Sequence, residues 1–155
     1  MQPALTDPRS GQSSEPTENA SLVSAIETAL CQTLEAMPGL AAIVLFGSAV
    51  RGRLRPDSDV DVATLFEHEA IPGVEERLAL RQRLEEAVQR DVDLIVLNDA
   101  PTILAFQALR YGRLIACPRP RIYHECVMRL VTEYADFKRI RKPIEAAVIR
   151  RSVFE

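Results

Sequence analysis

Asp59 and Asp61 are carboxylates two residues apart, and upstream of them, across a gap of ten residues, stands the pair Gly47-Ser48. On a β-strand, residues i and i+2 point to the same face, so the two carboxylates would project side by side. Two anionic groups that close repel, and one pKa rises unless a cation lies between them. Mg²⁺ suits such a place, because it takes hard oxygen donors and combines one or two carboxylates with substrate phosphates. Alone, an Asp-x-Asp reads first as a turn cap beside a solvent-facing acid. The Gly-Ser pair shifts that balance. Gly47 lets the backbone approach a ligand closely, and Ser48 offers a hydroxyl and a backbone N–H to a phosphate oxygen. A short helix starting there would aim its first amides at the same anion. Arg51 and Arg53 lie in the gap, either as surface residues or within reach of a triphosphate. Together these residues spell metal-assisted chemistry on phosphate.

Two metals would need a third carboxylate. Asp93 interrupts the apolar run Val92 to Val96, where an acid is costly unless paired or metal-bound. A rim aspartate is the other reading, and Asp91, on the same face, is the fallback. Pro56-Asp57-Ser58 is turn chemistry that returns the chain toward Asp59, and Asp57 reads as a turn residue. His68 and His124 read as structural or exposed.

Elements must hold these groups in place. Residues 1–19 are rich in Pro, Ser, Thr, Gln and Glu and read as a disordered tail, leaving 20–155 as the folded domain. A helix capped by Ser21 would run to Met37, with Leu22, Ile26, Ala29, Leu30 and Leu34 on one face. The run 41–46 reads as a buried strand entering Gly47, and alternation predicts a second strand over 59–66. A charged amphipathic helix follows at 73–90, then a strand at 92–97. Pro101 opens a short helix to about Tyr111, ended by Gly112, with an edge strand over 113–117. Residues 122–151 read as helix with a break at Pro143. The order α-β-β-α-β-α-β-α makes an α/β (α+β) domain around one small sheet.

Bulk composition excludes several classes. A chain of 155 residues is one domain and large enough for a core without disulfides. The net charge of −3 argues against a dedicated nucleic-acid coat. Basic residues crowd the last third, as a solvated helix face or a surface for an acidic partner. Cys31, Cys117 and Cys126 lack metal-ligand spacing and read as buried thiols in a reducing cytosol. No apolar run spans a membrane and no signal peptide precedes the domain, so a cytoplasmic protein is expected.

Gly47-Ser48, Asp59-x-Asp61 and a later Asp93 in an apolar strand resemble the DNA polymerase β-type nucleotidyltransferase superfamily. Within it the chain is most similar to the minimal, MNT-type enzymes over residues 22–151. The segments Leu97-Asn98-x-Ala100-Pro101, Leu109 to Ile115 and Glu133-Tyr134-x-Asp136-Phe137 extend the likeness, the last two toward MntA-type antitoxins paired with HEPN-class (HepT-like) toxins. The resemblance implies a polymerase β-like fold, with a small mixed sheet flanked by helices and a long C-terminal helix. ATP would rest on Gly47-Ser48, Arg51 and Arg53. Asp59, Asp61 and Asp93 would hold two Mg²⁺ ions, with Asp93 helping to deprotonate the acceptor. AMP would pass to a tyrosine of the toxin, in a hetero-oligomer with it, and pyrophosphate would leave. Ala49 stands where the family commonly has Arg or Tyr. Aminoglycoside-type nucleotidyl transfer, and an antitoxin that merely covers its toxin, are the alternatives. Three retained carboxylates weigh against the pure binder.

Overall fold

The computed structural model describes residues 15–154. Among the described residues, four helices and four strands appear in the expected order. Helix α1 (Glu15–Leu34) leads into strand β1 (Leu40–Phe46), and a single 3-10 turn, Gly47–Ala49, follows at once. Strand β2 (Val60–Phe66), helix α2 (Val74–Val88), strand β3 (Val92–Val96), helix α3 (Thr102–Tyr111), strand β4 (Arg113–Ala116) and helix α4 (Pro120–Phe154) complete the domain.

The four strands form one mixed sheet in the order β3-β2-β1-β4. β1 pairs antiparallel with both β2 and β4, while β2 and β3 are parallel, joined by the α2 crossover. Period-two alternation sorts the side chains between two cores. Ile43, Leu45, Val60 and Val62 face α1 and α2, where Ile26, Leu30, Leu34, Leu80 and Leu84 close the layer. Val44, Ala63 and Leu65 face the other way, under Ala105 and Ala108 of α3 and Cys126 and Leu130 of α4. The small residues Ala41, Ala42 and Ala63 on that second face are fully buried, which lets α3 and α4 lie close to the sheet.

Three expectations are adjusted. α1 starts at Glu15 rather than at a Ser21 cap, so residues 15–19 of the expected tail are helical. The rest of that tail, 1–14, lies outside the described residues. α4 passes through Pro143 without ending. Every residue from Ala135 to Ala147 is exposed, so water satisfies the carbonyl that Pro143 leaves without an amide partner. Of the three thiols only Cys126 is buried. No helix among the described residues is long and apolar enough to cross a membrane.

Candidate active site

β1 delivers the chain to Gly47, and the turn there depends on glycine. Its φ is +73, in the left-handed region. A Cβ built on Gly47 would land against Asp61 Oδ2 and only 2.8 Å from its Cγ. The Asp61 carboxyl therefore occupies the space where a side chain at 47 would go. Ala49 anchors the far end of the turn. Its methyl is 4% exposed and packs into the core beside α1 and α2, so position 49 faces away from the carboxylates. The expected short helix is one 3-10 turn, with Arg51 N–H donating to Gly47 O at 3.3 Å and Arg53 N–H to Ser48 O at 3.0 Å. The first amides of such a turn have no partner inside it and are open to a ligand.

Sheet register brings the acids together. Asp61 sits opposite Phe46 on β1 and opposite Asp93 on β3. Registered residues of parallel neighbours share a face, here the one that carries Ala63 and Ile95. Asp59 precedes β2 by one residue and is exposed, as is Asp93, while Asp61 is half-buried. Asp91 falls outside this group; its carbonyl accepts the Val60 N–H at 2.9 Å and closes the start of the parallel ladder.

The electrostatics follow this geometry. Burial pushes the Asp61 carboxyl above the ordinary aspartate range, repulsion from Asp93 and then Asp59 adds to the rise, and the Arg51 guanidinium opposes it. Among the described residues no three acid, histidine or cysteine side chains close into a ready metal cage. An open set of carboxylates that strain against one another is what Mg²⁺ takes when substrate oxygens complete its shell. The donors thus fit Mg²⁺ bound together with a nucleotide better than a permanently seated ion.

The two gap arginines part company. Gly52, with φ +68, reverses the chain between them. Arg51 stays on the carboxylate side, whereas Arg53 lines a cleft between the 49–56 loop and α1. Sequence reasoning had no means to separate them. It also passed over Arg55, Arg90 and Asn19, which line that cleft from three distant parts of the chain. His68 and His124 are both exposed.

Comparisons with known proteins bear on this arrangement. The family model described as polymerase beta, nucleotidyltransferase matches residues 29–121. The protein adenylyltransferase MntA of Shewanella oneidensis is 36% identical over 77 residues, covering 50% of this chain but only 54% of that protein. The protein of the same name from Thermococcus cleftensis is 34% identical over 88 residues, 57% of this chain and 87% of the relative. Among solved structures, a chain of a toxin-antitoxin complex with AMP-PNP superposes with a TM-score of 0.71 at 27% identity, over 79% of this chain and 98% of that one. A chain from the complex of a tri-AMPylated Shewanella oneidensis HEPN toxin with MNT antitoxin gives 0.68 at 25%, over 82% and 98%.

Proposed function

The chain belongs to the polymerase beta nucleotidyltransferase family, and from that premise we propose that it is a cytoplasmic protein adenylyltransferase antitoxin. It transfers AMP from ATP to a tyrosine hydroxyl of a HEPN-type toxin and silences it, in a hetero-oligomer with that toxin. One observation carries the reading: Asp61 lies against the Gly47 turn and in register with Asp93, so a phosphate seat and two acids share one corner of the sheet. The likeness to protein adenylyltransferases and to chains of toxin-antitoxin complexes supports the protein acceptor and the antitoxin role.

In this mechanism the Gly47-Ser48 turn holds the triphosphate through its backbone N–H groups and the Ser48 hydroxyl, and Arg51 balances its charge. Asp59, Asp61 and Asp93 would hold Mg²⁺ as two ions, which when bound supply Lewis-acid stabilisation of charge on the phosphate oxygens. The acceptor Oη attacks the α-phosphorus in line. The Oη–Pα bond forms, the bond from Pα to the bridging oxygen breaks, and pyrophosphate departs with the electron pair. An Asp93 carboxylate oxygen takes the Oη proton. Ground-state repulsion around Asp61 is relieved as cationic charge arrives with the nucleotide, so the site favours the loaded state.

Co-expression with the protein encoded beside it, followed by Mg-ATP and intact-mass measurement, tests the proposal. The partner gains one or more AMP units with the wild-type chain and none with Asp59→Asn/Asp61→Asn. Labelling by the folded double variant would sink the metal assignment. Binding without any mass gain would favour an antitoxin that acts by covering its toxin.

A further inference from the structure

We propose that the cleft between α1 and the 49–56 loop docks an acidic, extended segment of the acceptor protein. This rests on the adenylyltransferase reading and adds where the acceptor is gripped. The cleft measures about 1240 Å³ and is open along its length. Single small molecules fill roughly 300–1,000 Å³, so its size suits several residues of polypeptide better than one small anion.

Its chemistry specifies the occupant. Four arginines line it, Arg53, Arg55, Arg90 and Arg113, against Glu18 and Glu27. Two are committed: Arg113 pairs with Glu27, and Arg90 donates to the carbonyls of Arg55, at 2.5 Å, and Ser58, at 3.4 Å. Among the described residues, the side chains of Arg53 and Arg55 have neither a carboxylate nor a hydrogen-bond partner, which leaves positive charge uncompensated. Asn19 ties α1 to the loop across the cleft. Its Nδ2 donates to Gly52 O at 3.1 Å, which fixes the amide orientation, and its buried Oδ1 then accepts from nothing. Leu22, Val23 and Leu54 add an apolar wall. Carboxylates for the free arginines and apolar side chains for this wall, in a cleft of this size, together describe an acidic stretch of chain.

Position supplies the functional consequence. The cleft is walled by the loop that begins at Ala49, one residue after Ser48. A segment held there runs beside the phosphate turn, on the side away from the carboxylates, and a neighbouring tyrosine is carried over the edge toward Asp59, Asp61 and Asp93. Arg55 is thus a positioning residue, acting through the acceptor rather than on the reacting atoms.

The test compares wild type, Arg55→Glu, Arg55→Lys and Leu22→Asp in labelling of the HEPN-type acceptor, and in binding that acceptor without ATP. Arg55 and Leu22 are both exposed, and melting temperatures verify folding. Arg55→Glu and Leu22→Asp each raise the acceptor KM and Kd about tenfold, the change expected for losing a contact of ~1.4 kcal/mol. The turnover number and the ATP KM stay within about twofold, and Arg55→Lys restores binding. Unchanged acceptor Kd in both variants overturns the proposal, and so does a change confined to the ATP KM, which would make the cleft a nucleotide site. If the wild type binds the acceptor but never labels it, the enzymatic reading fails, while the binding comparison still decides what the cleft holds.

Discussion

The Asp61 carboxyl is held above the ordinary aspartate range by its surroundings, and the direction of that disturbance has a consequence for stability. Burial and two neighbouring acids raise its folded pKa above the value it has in an unfolded chain. In the window between those two values the folded state holds more protons, so stability falls as pH rises through it. At neutral pH, with divalent ions chelated, ionised Asp61 is therefore a destabilising group. Asp61→Asn is expected to raise the melting temperature in EDTA by a few degrees at most, because the carboxyl is only half-buried and water screens it. The gain should shrink as pH falls into the ordinary aspartate range, where the wild-type carboxyl is neutral too. Calorimetry across that range checks both statements, and a lower melting temperature for Asp61→Asn at neutral pH would contradict them.

Among the elements, the β2–β3 pairing does most to build the candidate site, and Asn98 closes that pairing at the end away from the acids. Beyond the last rung, Asn98 Oδ1 accepts the Phe66 N–H at 3.0 Å and Nδ2 donates to Phe66 O at 2.8 Å, so one side chain imitates a strand. Asn98→Ala leaves two polar groups of buried Phe66 unpaired, at a cost of about 1–3 kcal/mol each. Urea denaturation is expected to show a lower midpoint with an unchanged slope, and Asn98→Asp, lacking the donor, should lie between. The order of elements was legible because apolar runs and alternation mark β1, β2 and β3, and Pro101 and Gly112 bracket α3. Asp59 and Asp61 were legible because they stand two residues apart where the alternation of β2 begins. The pairing of Asp61 with Asp93 was not, since register is decided between segments 32 residues apart. The helical residues before Ser21 were hidden for another reason: Glu15 to Asn19 have no apolar periodicity to signal a helix. The cleft escaped notice because its walls come from positions 19, 22, 55, 90 and 113.

On the scale of the molecule, the candidate site and the core occupy residues up to about 134, and the exposed stretch of α4 from Ala135 to Ala147 stands apart from both. Tyr134 still stacks on Phe106 of α3, with ring centroids 3.8 Å apart, and Thr102 donates to Glu133. Beyond them Ile140 and Ile144 are 65% and 59% exposed, among Lys138, Arg139, Arg141 and Lys142, so the basic crowding noted in the sequence is a solvent-facing helix end. A chain ending at Asp136 is expected to keep its two cores and to melt within ~2 °C of the full chain, since surface changes seldom exceed ~0.5 kcal/mol. A cooperative loss of structure on that truncation would mean that the distal helix supports the sheet after all.

The contact between Gly47 and the Asp61 carboxyl ties two positions into one heritable unit. Gly47→Ala meets two penalties, the left-handed backbone and the collision with the carboxyl; shortening position 61 to Ala removes most of the second and leaves only its Cβ, at 3.2 Å. A double-mutant cycle with Asp61→Ala should therefore return a coupling of about 1 kcal/mol or more, with the second substitution milder in the presence of the first. A descendant that abandoned catalysis would be freed at both positions together, and drift at Gly47 without drift at Asp61 would mark a chain that had lost its fold rather than its chemistry.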